Sequence, residues 1–352
     1  MRLPLILLAA LSLNSCSTAG YLAESGIGQW KLFNKARPVE DVLKSPHTPE
    51  PTREAIRVVR KAKDFAVELG LKATSNYKNF VQLDSPCVIW AVSAAHPLQL
   101  EQKKWHFPIV GSVPYLGFFK KGSAEKEAKD LEKETPVPDT WVRCVPAFSS
   151  LGWFSDPLYS SMLKGKERDI AELVIHESLH ATVWVNSGVE FNEKLANFVG
   201  LEGSLRYTER YQGKGALEEA RKVVAGEKLF GDFLHEQVEL YKKTVTTPEQ
   251  KAEYYGTLRA RYEDFLSAAA KKGVKFRKMD VRFSKWNNAA LMASANYYSD
   301  YTTFETMLKS CGDDLGRFVR WIAAEQKKEA GRFKGAPEEY LVDLVKNASC
   351  PE

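Results

Sequence analysis

The stretch Leu173-Val174-Ile175-His176-Glu177-Ser178-Leu179-His180-Ala181-Thr182-Val183-Trp184 decides how this chain is read. It spells H-E-x-x-H inside an apolar run. On a helix, histidines at i and i+4 leave the same face about one turn apart. Imidazole nitrogens so placed can reach one tetrahedral Zn²⁺ at about 2.0–2.1 Å. Glu177, one step round the helix from His176, is placed to serve as general base toward an attacking water. Two histidines and a glutamate in an apolar segment need partners to offset their desolvation, and a metal ion supplies them. The motif points to a zinc peptidase; the alternative is a helix whose histidines lie on a polar face and bind nothing.

The next segment favours the metal. Asn186-Ser187-Gly188 is a helix stop and turn signal, and a second helix is expected to begin near Phe191–Asn192. Folding back, it would bring Glu193 to the histidine pair. His176, His180 and Glu193 with one open position form the ligand set of a catalytic rather than a structural zinc site. The simpler role for Glu193 is a first-turn acid on the helix dipole. Glu190 is the nearest rival ligand, and Glu202 lies about half a turn out of phase with Glu193. A metzincin pattern fails, because Val183 and Asn186 stand where a glycine and a third histidine are needed. His235-Glu236-Gln237-Val238-Glu239 opens like the motif but closes on glutamate. Asn197, at i+4 from Glu193, is a candidate for supporting the ligands from behind.

The two segments together are similar to the gluzincin pattern, H-E-x-x-H followed by N-E-x-x-A in Asn192-Glu193-Lys194-Leu195-Ala196. More narrowly, the chain resembles the bacterial family described as putative or predicted aminopeptidases. The resemblance rests on blocks spread over residues 20 to 325: Gly20-Tyr21-Leu22 with Asn34–Val39, Trp105–Pro108 with Val113–Phe119, Ser150–Pro157, the zinc segments, and Asn287–Leu291 with Tyr297. It implies peptide-bond hydrolysis, with Tyr297 as candidate donor to the developing oxyanion and Tyr298, Tyr301 and His235 as rivals. Family members often carry cysteines where this chain has His106 and Ser112, so no disulfide or ligand role is carried over there; a structural role is expected for His106. No G-x-M-E-N-type motif for a free α-amine is present, which leaves endopeptidase, dipeptidase and cell-wall peptide hydrolase open beside aminopeptidase.

The N-terminus reads as an export signal. Met1-Arg2 gives one positive charge, Leu3–Leu13 is apolar but too short to span a bilayer, and Leu13-Asn14-Ser15-Cys16 is lipobox-like. Cys16 is therefore the expected lipidation site, and Ser17 after it favours the outer membrane facing the periplasm. Ordinary cleavage to a soluble secreted protein is the alternative. Of the five cysteines, removing Cys16 leaves Cys87, Cys144, Cys311 and Cys350. Four cysteines in an exported protein allow two disulfides in three connectivities; nearness in sequence favours Cys87–Cys144 and Cys311–Cys350. A net charge of +5 on 352 residues is mild, and no nucleic-acid recognition motif accompanies it.

The pattern along the chain predicts an α+β, mostly helical fold. Residues 1–15 are signal peptide. Residues 16–155 form a small N-terminal mixed α/β part, with a helix over Gly20–Leu43 that ends near Pro38 or restarts after it, an amphipathic helix over Pro51–Gly70, and strands near Phe80–Leu83, Cys87–Val92, Val113–Phe119 and Trp141–Val145. Residues 156–352 form a larger, helical, zincin-like part carrying a long helical hairpin near 204–273, with the active-site cleft between the parts. Val113–Phe119 is either an edge strand able to take an extended peptide or an interior strand. The expected partners are a peptide substrate and, through Cys16, a membrane. The competing functions are a non-catalytic envelope lipoprotein that binds a partner, and a zinc hydrolase acting on another amide; intact Glu177 argues against the first.

Overall fold

A computed structural model describes residues 20–107, 111–147, 155–186, 188–276, 285–295 and 300–351. Helix α1 (residues 20–34) is followed by strand β1 (Arg37–Pro38), α2 (Val39–Lys44) and α3 (Glu50–Glu68). Proline in the first turn starts α3, and Gly70 at φ 82° ends it, a left-handed position that glycine adopts without a Cβ clash. The strands then gather: β2 (Asn79–Val81), β3 (Ile89–Ala95), β4 (Trp105–Phe107), β5 (Gly111–Val113) and β6 (Leu116–Phe118), then α4 (Lys121–Leu131), β7 (Asp139–Val145) and β8 (Leu158–Tyr159).

From there the described chain is helical: α5 (Glu167–His180), α6 (Val189–Gln212), α7 (Lys214–Thr244), α8 (Pro248–Ala270), α9 (Asn288–Ala295), α10 (Thr302–Ser310), α11 (Leu315–Lys328), α12 (Ala330–Gly335) and α13 (Pro337–Asn347). The fold is α+β and mostly helical, as the pattern predicts. The hairpin is α7 against α8, turned at Val245–Thr247, where Gln250 and Thr247 cap each other's backbone and Pro248 occupies the first turn. That pairing satisfies N–H groups that the start of a helix leaves open.

Sheet order is β6-β3-β7, with β3 antiparallel to both neighbours, beside a small β1-β2-β8 sheet and a β4-β5 hairpin. Strand β3 is buried almost throughout. Val92 and Ala94 pack toward Ala124 and Leu131 of α4, and alternation turns Ala91 and Ser93 the other way; α9 also packs on β3. The expected single strand Val113–Phe119 is two, β5 and β6, in different sheets. Pro114 has no N–H to give a ladder, and the chain bends at Pro114–Tyr115. The second half, β6, is a sheet edge. The main core joins α3, α5, α6, α10 and α11 through Phe65, Val174, Ile175, Phe198, Phe304 and Phe318. Disulfides link Cys87 to Cys144 and Cys311 to Cys350, the pairing favoured by proximity.

Candidate metal centre

Helix α5 begins with its own cap, the Asp169 carboxylate accepting from the Lys166 backbone N–H at 3.1 Å. Its inner face (Ile170, Ala171, Val174, Ile175, Leu179) is fully buried and packs on α3 and α6. This fixes the rotation of the helix and with it the direction of His176 and His180. Their Nε2 atoms stand 3.2 Å apart with the rings near perpendicular, at 88°. Trp184 meets the His180 ring edge-on at 5.6 Å.

Two devices bring Glu193 to this pair. The first is a lock on the turn between the helices. Asn192 is buried; its Oδ1 accepts from the Val185 N–H at 2.9 Å and its Nδ2 donates to the Val185 carbonyl at 2.8 Å. One side chain thus replaces a strand-like pair of backbone bonds and sets where α6 starts, at Val189 rather than the expected Phe191. The second is close helix packing. A Cβ on Gly200 would stand 3.0 Å from the Glu172 carbonyl oxygen and 3.1 Å from the His176 Cβ, and one on Gly203 would stand 3.0 Å from two side-chain carbons of Ile175. Both approaches are tighter than an ordinary contact, so an added side chain would press on the Glu172 carbonyl, His176 or Ile175.

The result is a compact donor cluster. Glu193 Oε2 lies 3.6 Å from His176 Nε2, and Oε1 lies 3.4 Å from His180 Nε2. One ligand atom from each of the three residues falls within 4.8 Å of the others. Tetrahedral ligands at the usual Zn²⁺ distances are separated from one another by about 3.4 Å, so the spacing suits the ion. Charge agrees. Burial lowers His176 to a pKa of about 4, against an opposing hydrogen bond from Asn197, and lowers His180 to about 3, with His176 adding to the effect. Both imidazoles are therefore neutral at pH 7, the form that ligates metal. Burial pushes the Glu193 carboxyl up to about 7, and the positive charge of Arg143 pulls the other way. Although 47 % of the Glu193 side chain is exposed, the carboxylate gains from a cation at this spot. The donor set fits Zn²⁺.

A family model described as putative aminopeptidase matches residues 20–334. The chain belongs to this putative aminopeptidase family. The matched span runs from the first described residue into α12 and includes both helices of the donor cluster. Membership in the aminopeptidase family suggests peptidase activity. No curated protein and no solved structure matches the chain.

On this aminopeptidase-family fold the described rivals for the site have the following places. Glu190 is exposed and outside the cluster. Glu202 pairs with Arg206. His235 is exposed on α7, and the Tyr301 ring packs on Phe198 at 5.7 Å. Tyr297, Tyr298 and Cys16 lie outside the described residues. His106 and Ser112 face each other across β4 and β5, with Nδ1 and Oγ 2.6 Å apart, so this pair staples a hairpin. The Asn287–Asn288 block has a structural part as well. Asn287 donates to the Thr140 carbonyl at 2.9 Å, and Asn288 donates to the His96 carbonyl at 3.0 Å, tying α9 to the sheet.

Two residues near the cluster carry no signal in the sequence reading. Arg143, on β7, acts on Glu193 through its charge, which puts β7 within electrostatic reach of the donor cluster. Tyr77 adopts φ 67°, a left-handed conformation that is costly for a bulky side chain. Its buried phenol is held well above the usual range, first by burial and then by the charges of Glu177 and Asp156. Tyr77 therefore stands close to Glu177. Glycine or asparagine would advertise such a backbone position; a tyrosine hides it.

Proposed function

We propose that the protein is a gluzincin-like zinc peptidase, tethered at the cell envelope by a lipid on Cys16. His176, His180 and Glu193 would hold Zn²⁺, which supplies Lewis-acid polarisation of the scissile carbonyl and lowers the pKa of water. The rest of the chemistry belongs to the chain. Glu177 removes a proton from the attacking water as the new C–O bond forms. It then delivers that proton to the leaving nitrogen as the C–N bond breaks, yielding a carboxylate and an amine. Arg143 holds positive charge beside the site. Tyr297 is the proposed donor to the developing oxyanion; it follows α9, which packs on β7, the strand that carries Arg143.

The observation that carries this reading is the convergence of three neutral-or-anionic donors within 4.8 Å of one another, with Glu177 on the same helix. A structural zinc site has no need of a base, and His₂Glu leaves one position open for substrate. For the tether, the support is the lipobox-like Leu13–Cys16 and the pairing of all four remaining cysteines as disulfides, which suits an exported chain. Among the described residues no helix is long and apolar enough to cross a membrane.

Zinc content of the mature protein, measured beside that of Glu193→Ala, tests the metal centre. We expect about one zinc per chain, largely lost in the variant. No zinc in the parent protein would overturn the peptidase reading. Zinc retained in Glu193→Ala would move the third ligand, with Glu190 next in line.

A further inference from the structure

Helix α1 is apolar on its outer face as well as its inner one. At 100° per residue, the exposed positions Leu22, Ala23, Gly26, Ile27, Trp30 and Asn34 fall within an arc of about 140°, with exposed Gly20 and Lys31 just beyond its edge. No charged residue lies on that arc. Leu22 is 52 % exposed, Ile27 55 % and Trp30 62 %. The one charged side chain between Gly20 and Trp30, Glu24, is turned inward, where it accepts from Ser123 Oγ at 2.6 Å. The rest of the inner face is committed to the protein. The Tyr21 ring packs on Phe118 at 5.3 Å and Phe107 at 5.8 Å, and Gly28 is pressed against the Phe119 ring. A helix that faces water keeps polar residues on its outer side. Elsewhere among the described residues the large exposed apolar side chains (Val67, Tyr115, Val137, Tyr211, Val342) are scattered.

We infer that the outer face of α1 rests on the phospholipid surface, with Leu22, Ile27 and Trp30 seated at the boundary between headgroups and acyl chains. This rests on the proposed acylation of Cys16 and adds where the protein touches the bilayer. The argument is one of reach. Gly20 comes four positions after Cys16, a span of at most about 14 Å when fully extended. An acylated Cys16 sits at the membrane surface, so α1 begins within about one helix diameter of the headgroups. An uncharged apolar face held there gains by entering the interface, where tryptophan is the favoured residue. Lys31, next on the exposed side, is the first cation and adjoins the headgroup phosphates. One lipid-modified residue then does more than tether: with α1 as a second contact, the protein lies with α4, β4 and β6 behind its membrane face.

The test uses the full chain matured in cells, purified in detergent and reconstituted into phospholipid vesicles with or without brominated acyl chains. Intact mass reports whether Cys16 is acylated, and tryptophan fluorescence reports contact with lipid. We expect an acylated protein that is quenched by brominated lipid, with most of the quenching gone in Trp30→Phe. An acylated protein whose quenching is absent, or the same in Trp30→Phe, overturns the α1 contact and leaves the anchor standing. An unmodified Cys16 overturns both, because the reach argument goes with it. A Trp30 that brominated lipid does not reach, in a protein that sediments as a dimer and becomes monomeric as Leu22→Asp/Ile27→Asp, would give the face to a second copy of the chain instead.

Discussion

Two helical regions of this protein open a segment with the same two letters and end differently. On α5, His176-Glu177 lies in a face packed on α3 and α6; on α7, His235-Glu236 lies on the exposed side of the hairpin. The α7–α8 pair makes its core from rings, Phe233 on Phe265 at 4.8 Å and Tyr241 on Tyr254 at 5.0 Å. Its charges go outward into local pairs such as Lys242–Glu239 and Arg259–Glu263, which contribute little in water. In α5–α6 the ionisable groups are held in a low-dielectric setting, where burial lowers the proton affinity of the two histidines and raises that of Glu193. The difference teaches that two letters of a motif are cheap. What makes a site is burial together with a third donor delivered by another helix.

The comparison is broken most directly at Glu177. Glu177→Gln should keep its zinc and lose about 10²–10⁴-fold in peptide turnover, the usual contribution of a positioned base. Near-normal turnover on a peptide library would remove Glu177 from that role. A smaller and graded effect is expected from pH. Metal binding needs both imidazoles neutral and Glu193 ionised. Burial holds the histidines neutral down to about pH 4 but keeps a proton on Glu193 up to about 7. Zinc affinity should therefore fall about tenfold per pH unit below 7, one proton per metal, and steepen only near pH 4. Competition titrations with a chelator measure this, and a loss of two or three protons starting near pH 6.5 would mean ordinary histidines. The smallest effect belongs to the mirror segment. His235→Ala should leave zinc content, turnover and melting temperature unchanged within error, as surface substitutions do; a loss of zinc there would move the metal centre to the hairpin.

What the sequence made legible follows from locality. H-E-x-x-H is a one-helix pattern, Asn192-Glu193 follows within a single turn, and the 3.6-residue period of α3, α7 and α8 can be read from their apolar positions. Both disulfides follow from nearness. What stayed hidden depends on long-range packing or on backbone conformation. Arg143 approaches Glu193 only because β7 pairs with β3 and the sheet meets the helices. Tyr77 sits beside Glu177 in a backbone state that its residue type conceals. The split of Val113–Phe119 into two sheets turns on one missing N–H at Pro114, whose effect depends on which neighbours the flanking residues find. Asn192 could have been read further: a buried amide in a turn that must be fixed is a natural clasp.

Gly200 and Gly203 deserve the last word because they do their work by what they lack. The donors of this centre are placed by contact between two backbones, with nothing standing between them to be tuned. A substitution there would change no charge, remove no hydrogen bond and touch no ligand atom, yet it would shift one jaw of the grip against the other. In this molecule two positions that set the donor geometry are chemically silent ones, seven and ten residues down the helix from Glu193, and a survey that scored only reactive side chains would pass over them.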